Sequence, residues 1–243
     1  MRLLLIFCLV TSFLKSQNDT ALTIPIVGVH FGGQLPGGDL AKRFGFNLNA
    51  GGTFLIKHSS RFVFGLESNY LFGSKVKENV LQQLTTPESF VIDNQGYPAD
   101  LRVTERGFNV MGIGGYVFDW WSPNQNSGVM MTMGVGYLQH YINFYDASQK
   151  VAAVNGKLRY GYDRLTDGIA LSQFIGYLYL SDNRLSNFYI GAEFYEAFTK
   201  SVRGFNFDTG KFDTGKRLDL LFGIRMGWIL PLYKKMAIGD YYN

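Results

Sequence analysis

The sequence holds a single cysteine, Cys8, and six prolines among 243 residues, and only 17% of its residues are charged. It also lacks any apolar run of the ~20 residues that a membrane-spanning helix requires; the longest extends from Leu3 to Leu14. Each shortage excludes something. One cysteine allows neither an intrachain disulfide nor a thiolate zinc site. The low charge argues against an ordinary soluble domain, in which about a quarter of residues are charged. The missing apolar run rules out a helical membrane protein. What is abundant is glycine, at 29 residues, and aromatics, at 16%, within a chain that is 47% hydrophobic and has a mean hydropathy of zero. A chain this apolar buries enough surface to offset its ordering entropy, which excludes disorder. Apolar residues that are plentiful but dispersed, with many glycines and aromatic rings, are the composition of a transmembrane β-barrel.

The N-terminus reads as an export leader. Arg2 supplies a short basic region, Leu3 to Leu14 an apolar one, and Lys15, Ser16 and Gln17 a cleavage zone. The leader is therefore taken as residues 1–17, with the mature start expected near Gln17 or Asn18. Cys8 lies inside the apolar region, without the small residues that would precede a lipidated cysteine, so the mature chain is expected to have none. Its stability in an oxidising compartment must then come from burial and backbone pairing. The 23 Lys and Arg and 19 Asp and Glu are spread along the chain, which leaves no basic footprint for nucleic acid. No nucleic-acid partner is expected.

Beyond residue 22 the chain breaks into eight segments of about ten residues, the length a tilted membrane strand needs. In Phe44 to Lys57, residues Phe44, Phe46, Leu48, Ala50, Phe54 and Ile56 share one face, and Asn47, Asn49, Thr53 and Lys57 the other. Arg61 to Gly73 repeats the scheme, with Phe62, Phe64, Leu66, Tyr70 and Phe72 opposed to Arg61, Glu67 and Asn69. The last segment is the clearest: Leu218, Leu220, Phe222, Ile224, Met226, Trp228 and Leu230 alternate with Arg217, Asp219, Gly223, Arg225 and Gly227. A period of two puts successive side chains on opposite faces of a sheet. Thr23 to Gly33, Glu105 to Phe118, Val129 to Ile142, Gly168 to Leu180 and Phe188 to Lys200 complete the set. The segments beginning at Glu105 and Gly168 alternate poorly, and the pattern does not assign their faces.

Connection lengths alternate as well. His58 to Ser60, Asp119 to Gly128 and Ser181 to Asn187 are short, whereas Gln34 to Arg43, Ser74 to Thr104, Asn143 to Asp167 and Ser201 to Lys216 are longer on the whole. Outer-membrane barrels have short periplasmic turns and longer external loops. Trp120, Trp121, Tyr179, Trp228 and Tyr233 then fall at periplasmic strand ends, and Phe44, Phe72, Phe108, Tyr141 and Phe198 near the outer rim, as two aromatic girdles. The expected fold is all-β: an eight-stranded antiparallel transmembrane up-and-down β-barrel over residues 18–233, with four longer extracellular loops and a periplasmic tail over 234–243. The longest connection, Ser74 to Thr104, mixes charges with apolar residues and is the candidate extracellular contact surface.

In hydrocarbon a sheet can span only if it closes on itself, because unpaired backbone groups are costly there. Eight strands enclose room for side chains and little else. The expected inward polar set is Asn47, Asn49, Arg61, Glu67, Asn69, Glu193, Asp219 and Arg225. Opposite charges in so narrow a lumen are expected to pair, leaving little or no conductance.

Motifs for chemistry are weak. His58 precedes Ser59 and Ser60 but sits in a predicted periplasmic turn, and His30 and His140 lie within strands, where a hydrogen-bonded structural role is the expectation. The tandem Phe207-Asp-Thr-Gly-Lys211 and Phe212-Asp-Thr-Gly-Lys216 contains Asp-Thr-Gly twice, yet two copies five residues apart in one loop lack the two-lobed scaffold of an aspartic protease. Turn formation explains them. The glycine clusters at Gly112, Gly114 and Gly115 and at Gly134 and Gly136 lack the lysine and helix of a phosphate loop; strand glycines are expected to make room for bulky neighbours in the lumen. No catalytic, cofactor or metal site is expected.

The chain resembles the small OmpA-like and OmpX-like outer-membrane barrels, more specifically those of the Bacteroidota. The residues that carry this are Pro36-Gly-Gly-Asp-Leu-Ala-Lys-Arg-Phe44, the run Phe222-Gly-Ile-Arg-Met-Gly-Trp-Ile-Leu-Pro-Leu-Tyr233, the Tyr241-Tyr242 ending, a glutamine at the expected mature start, and Asp19-Thr20-Ala21, which is similar to an O-glycosylation motif of that group. The resemblance implies a Gram-negative outer membrane, contact with its lipid, and other envelope proteins as partners, type IX secretion or gliding machinery among them. The function expected is a non-catalytic anchor, scaffold or accessory subunit; the alternatives are a lipid-modifying deacylase or acyltransferase on the same barrel, or a narrow channel.

Overall fold

Strands in which every second residue is apolar, punctuated by glycine-rich or Asx-rich turns, have one way to satisfy their edges without a second layer: pairing in sequence and closing. The computed structural model, which describes residues 23–88, 90–181 and 186–232, has this arrangement. The long strands are β1 (Ile24–Gly38), β2 (Asn47–Lys57), β3 (Phe62–Gly73), β4 (Leu101–Phe118), β5 (Gly128–Asp146), β6 (Thr166–Tyr179), β7 (Phe188–Ser201) and β10 (Lys216–Pro231). Each pairs antiparallel with the next, and β1 closes on β10 in a register running from Ile26 opposite Pro231 to Gly38 opposite Asp219. A small hairpin, β8 (Phe205–Asn206) and β9 (Lys211–Phe212), stands in the last loop.

The connections at one end of the barrel are on the whole shorter than those at the other. The turn end holds residues 58–61, 119–127, 180–181 and 186–187; the loop end holds 39–46, 74–88, 90–100, 147–165 and 202–215. Several strands outrun their sequence-based bounds at the loop end. β1 continues through Leu35 and Pro36 to Gly38, where φ is +58°, a left-handed value that glycine adopts freely. β4 starts at Leu101 rather than Glu105, and β5 runs on to Asp146 rather than stopping at Ile142. These extensions pair with one another, Leu101 opposite Asp146, so the wall rises further on that side.

Phe44 departs from expectation. It does not open β2 on the outward face; it follows a one-turn helix, α1 (Leu40–Arg43), and is fully buried, with its ring edge-on to His140 at 5.7 Å. The turn of helix reverses its direction, so a ring expected in the outer girdle closes the mouth of the lumen instead. The expected leader, residues 1–17, and the tail, 234–243, lie outside the described residues, as does Tyr233.

Candidate functional site

Inward side chains of β3, β6 and β7 converge on one guanidinium of β10. Arg225, 1% exposed, places Nη1 2.8 Å from Glu67 Oε2 on β3 and Nε 3.4 Å from Glu193 Oε2 on β7. Its carbon lies 4.8 Å from the Phe174 ring centre and 5.6 Å from that of Tyr189. Glu193 also accepts hydrogen bonds from Gln34 Nε2 at 2.7 Å and Asn49 Nδ2 at 2.8 Å. Two carboxylates and two aromatic rings thus face one cation while Gln34 and Asn49 hold one of those carboxylates, which is how a buried charge is made tolerable.

Further polar layers lie along the axis. His30 Nε2 is 2.5 Å from Asn69 Oδ1, and Asn69 Nδ2 donates to Asn109 at 2.9 Å. His140 Nε2 is 2.9 Å from Asp219 Oδ2, to which the Thr199 hydroxyl also donates at 2.5 Å. Asn47 Nδ2 donates to both oxygens of Glu105. Asn47, Asn49, Glu67, Asn69, Glu193, Asp219 and Arg225 are therefore all inside the barrel. Arg61 belongs to the β2–β3 turn rather than to β3, at φ +67°, with its largely buried side chain placing Nη2 3.9 Å from Asp119. At the turn end Lys57 fills the lumen instead and donates to Asn126 at 2.9 Å.

Glycine makes this filling possible. A Cβ on Gly227 would run into the Tyr189 ring, and one on Gly51 would lie 2.5 Å from His30 Nε2, so two large inward side chains occupy the volume two glycines leave free.

The loop end is closed by an ion-pair chain in which each of the four loops supplies one residue. Glu78, from the β3–β4 loop, accepts from Arg43 Nε of the β1–β2 loop at 2.8 Å and from Arg164 Nε of the β5–β6 loop at 2.7 Å. Arg164 Nη2 reaches Asp208 of the β7–β10 loop at 2.5 Å, and Arg43 Nη1 donates to Arg164 O and Thr166 Oγ1. Burial works against the charge on Glu78, but Arg43 and Arg164 outweigh it and hold the carboxyl below its ordinary range. Beneath the chain lie Leu40, Phe44, Val80, Leu81, Val151 and Val154, all buried. The β3–β4 loop, expected as a contact surface, is thus partly committed to this cap. The tandem repeat is divided: Phe207 packs edge-on to Tyr162 at 5.7 Å while Phe212 is 79% exposed.

Outside, the polarity inverts. Val29, Phe64, Leu66, Met133, Val135, Ile169, Ile175, Ile224 and Met226 all face out and are at least half exposed. Apolar surface of this extent on a closed sheet requires an apolar neighbour. Trp228 and Tyr179 stand at the turn end of this face; Trp120 and Trp121 lie beyond it in the β4–β5 turn, Trp121 at φ +53° and 85% exposed. One outward residue breaks the pattern. Glu196, between Phe194 and Phe198 on β7, lies opposite Leu171 and Leu220 and forms no ion pair among the described residues.

The histidines do not assemble a catalytic constellation. His58 Nδ1 accepts from the Ser60 hydroxyl at 2.7 Å and the Ser60 N–H at 3.1 Å, which ties the ring into its turn. His30 and His140 are enclosed in the lumen.

No family model matches the sequence, and no curated protein matches it. Solved structures do. Neisserial surface protein A is similar at 10% identity over 85% of this chain and 96% of that one, with a TM-score of 0.45. Ail, the attachment invasion locus protein of Yersinia pestis, is similar at 11% identity over 86% and 99%, with a TM-score of 0.41. The N-terminal β-barrel domain of Pseudomonas aeruginosa OprF is similar at 9% identity over 86% and 99%, with a TM-score of 0.35. Identities and scores this low transfer neither function nor partners.

Proposed function

We propose that this chain is an integral protein of a bacterial outer membrane, a non-conducting and non-catalytic barrel that anchors and presents its capped loop end outside the cell. The observation that carries this is the combination of an apolar outward belt with a lumen cross-linked around Arg225 and sealed by the Arg43–Glu78–Arg164–Asp208 chain. Aqueous surroundings would leave that belt exposed; a bilayer covers it. A filled lumen offers no water path and no substrate cleft, which leaves the outward surfaces as the places where work is done. Anchor, scaffold or accessory subunit is the role that fits. Envelope machinery such as type IX secretion is the partner class that the sequence resemblance implies.

The test is reconstitution of the full chain into phosphatidylcholine vesicles. Heat-modifiable migration on a denaturing gel, together with protease resistance of the strands only when vesicles are present, is expected. Equal digestion with and without vesicles would refute the membrane reading.

A further inference from the structure

At the loop end β2 and β3 stop pairing at Leu48 opposite Phe72, and their chains meet again where Phe44 bridges Val76. The gap between opens a cleft of about 400 Å³ on the outer face. Its walls include Phe46, Leu48 and Phe72, and at its edge stands Arg106. Asn47 backs it from the lumen side, where its amide holds Glu105. Arg106 donates only to the backbone oxygen of Glu105, at 2.9 Å, and forms no ion pair among the described residues.

Directly across from Arg106 on β5 is Tyr141. Tyr141 lines a second cleft, of about 240 Å³, with Gln139, Asn143, Arg159 and Arg203. Arg203 is engaged, forking onto Asp163 with its closest contact at 2.6 Å. Arg159 has no carboxylate partner among the described residues; it leans toward the Tyr160 ring at 5.4 Å. Asp163, which also lines this cleft, is taken by Arg203, and Asp167 accepts from the Tyr137 hydroxyl at 2.7 Å. The rim thus carries two adjoining clefts, each with an uncompensated guanidinium above apolar or aromatic walls.

We propose that these clefts bind the phosphorylated headgroup of an outer-leaflet glycolipid. Arg106 and Arg159 take its phosphoryl groups, and the acyl chains run down past Phe46, Leu48 and Phe72 into the belt. Guanidinium is the group best matched to phosphate. A free phosphate would use the cations but leave the aromatic walls idle; an amphiphile uses both. This inference rests on the membrane reading above.

Native mass spectrometry of the full chain in detergent, titrated with diphosphoryl lipid A, tests it. One adduct is expected, weakened about tenfold by Arg106→Gln, by Arg159→Gln and by enzymatic removal of the lipid phosphates, as loss of a charge-assisted hydrogen bond predicts. Millimolar inorganic phosphate is expected not to displace it. Unchanged retention in both variants, or of dephosphorylated lipid, overturns the proposal, and complete displacement by inorganic phosphate overturns the lipid as its source. Heat-modifiable insertion of the same samples into vesicles separates the two levels: a barrel that inserts but ignores phosphate sinks this inference alone, whereas one that does not insert sinks the reading beneath it.

Discussion

Arg225 on β10 reaches past β1 and β2 to place Nη1 2.8 Å from Glu67 Oε2 on β3. Removing one partner of so enclosed a pair strands the other, a loss of about 3–5 kcal/mol. Glu67→Gln and Arg225→Met are each expected to lower the urea midpoint of the vesicle-inserted barrel. Glu67→Gln combined with Arg225→Met is expected to lose less than the sum of the two. Additive losses in that double-mutant cycle would show that the two residues are not coupled.

Ile224 and Arg225 are neighbours on opposite faces, the first 65% exposed and the second 1%. Ile224→Arg puts the native charge one residue out of place and is expected to cost about 2–4 kcal/mol of stability in lipid, the penalty for arginine near a bilayer midplane. Glu196→Leu, on the same outward surface, is expected to gain stability of about 1 kcal/mol. Denaturant titration in vesicles measures both, and a neutral result for Ile224→Arg would contradict the outward belt.

Gly227→Val should fail for a different reason. The added Cβ collides with the Tyr189 ring inside a closed wall that cannot open locally. Folding yield, scored by heat-modifiable migration, is expected to drop sharply, and Gly227→Val combined with Tyr189→Ala to recover part of it. No rescue would mean that Tyr189 is not the obstacle.

The loop-end cap should be acid-sensitive. Because the Glu78 carboxyl is held below its ordinary range in the folded chain, its contribution is complete above the unfolded value and is lost as pH falls through the lowered one. Cleavage of the loops by an acid-active protease is therefore expected to accelerate below about pH 4 and to be flat from there to neutrality. Glu78→Gln is expected to show the accelerated rate at every pH. A wild-type rate that does not rise in acid would remove Glu78 as the clasp.

Much of the barrel was legible because three strands carry the inside–outside difference in the side chains themselves: β2, β3 and β10 set Asn, Glu or Arg against Phe, Leu or Ile. β4 and β6 were obscure for a physical reason. β4 turns Met111, Ile113 and Val117 inward and leaves Gly112 and Gly114 outside, while β6 buries Ala170, Phe174 and Leu178 and turns the half-buried Gln173 outward, so polarity does not separate the two faces cleanly. The cap could not be read at all. Arg43, Glu78, Arg164 and Asp208 meet across separations of 35, 86 and 44 residues, and no local pattern announces a contact that exists only once the barrel has closed. Phe44 misled for the same reason, since its alternation with Phe46 and Leu48 is genuine and only the turn of helix before it reverses its direction.

Conductance tests the central claim most directly. The full chain, first shown by heat-modifiable migration to be folded in vesicles, is fused into a planar bilayer and its current recorded. A lumen filled around Arg225 and sealed by the four-loop cap predicts no resolvable steps, and stable openings of porin size would contradict it.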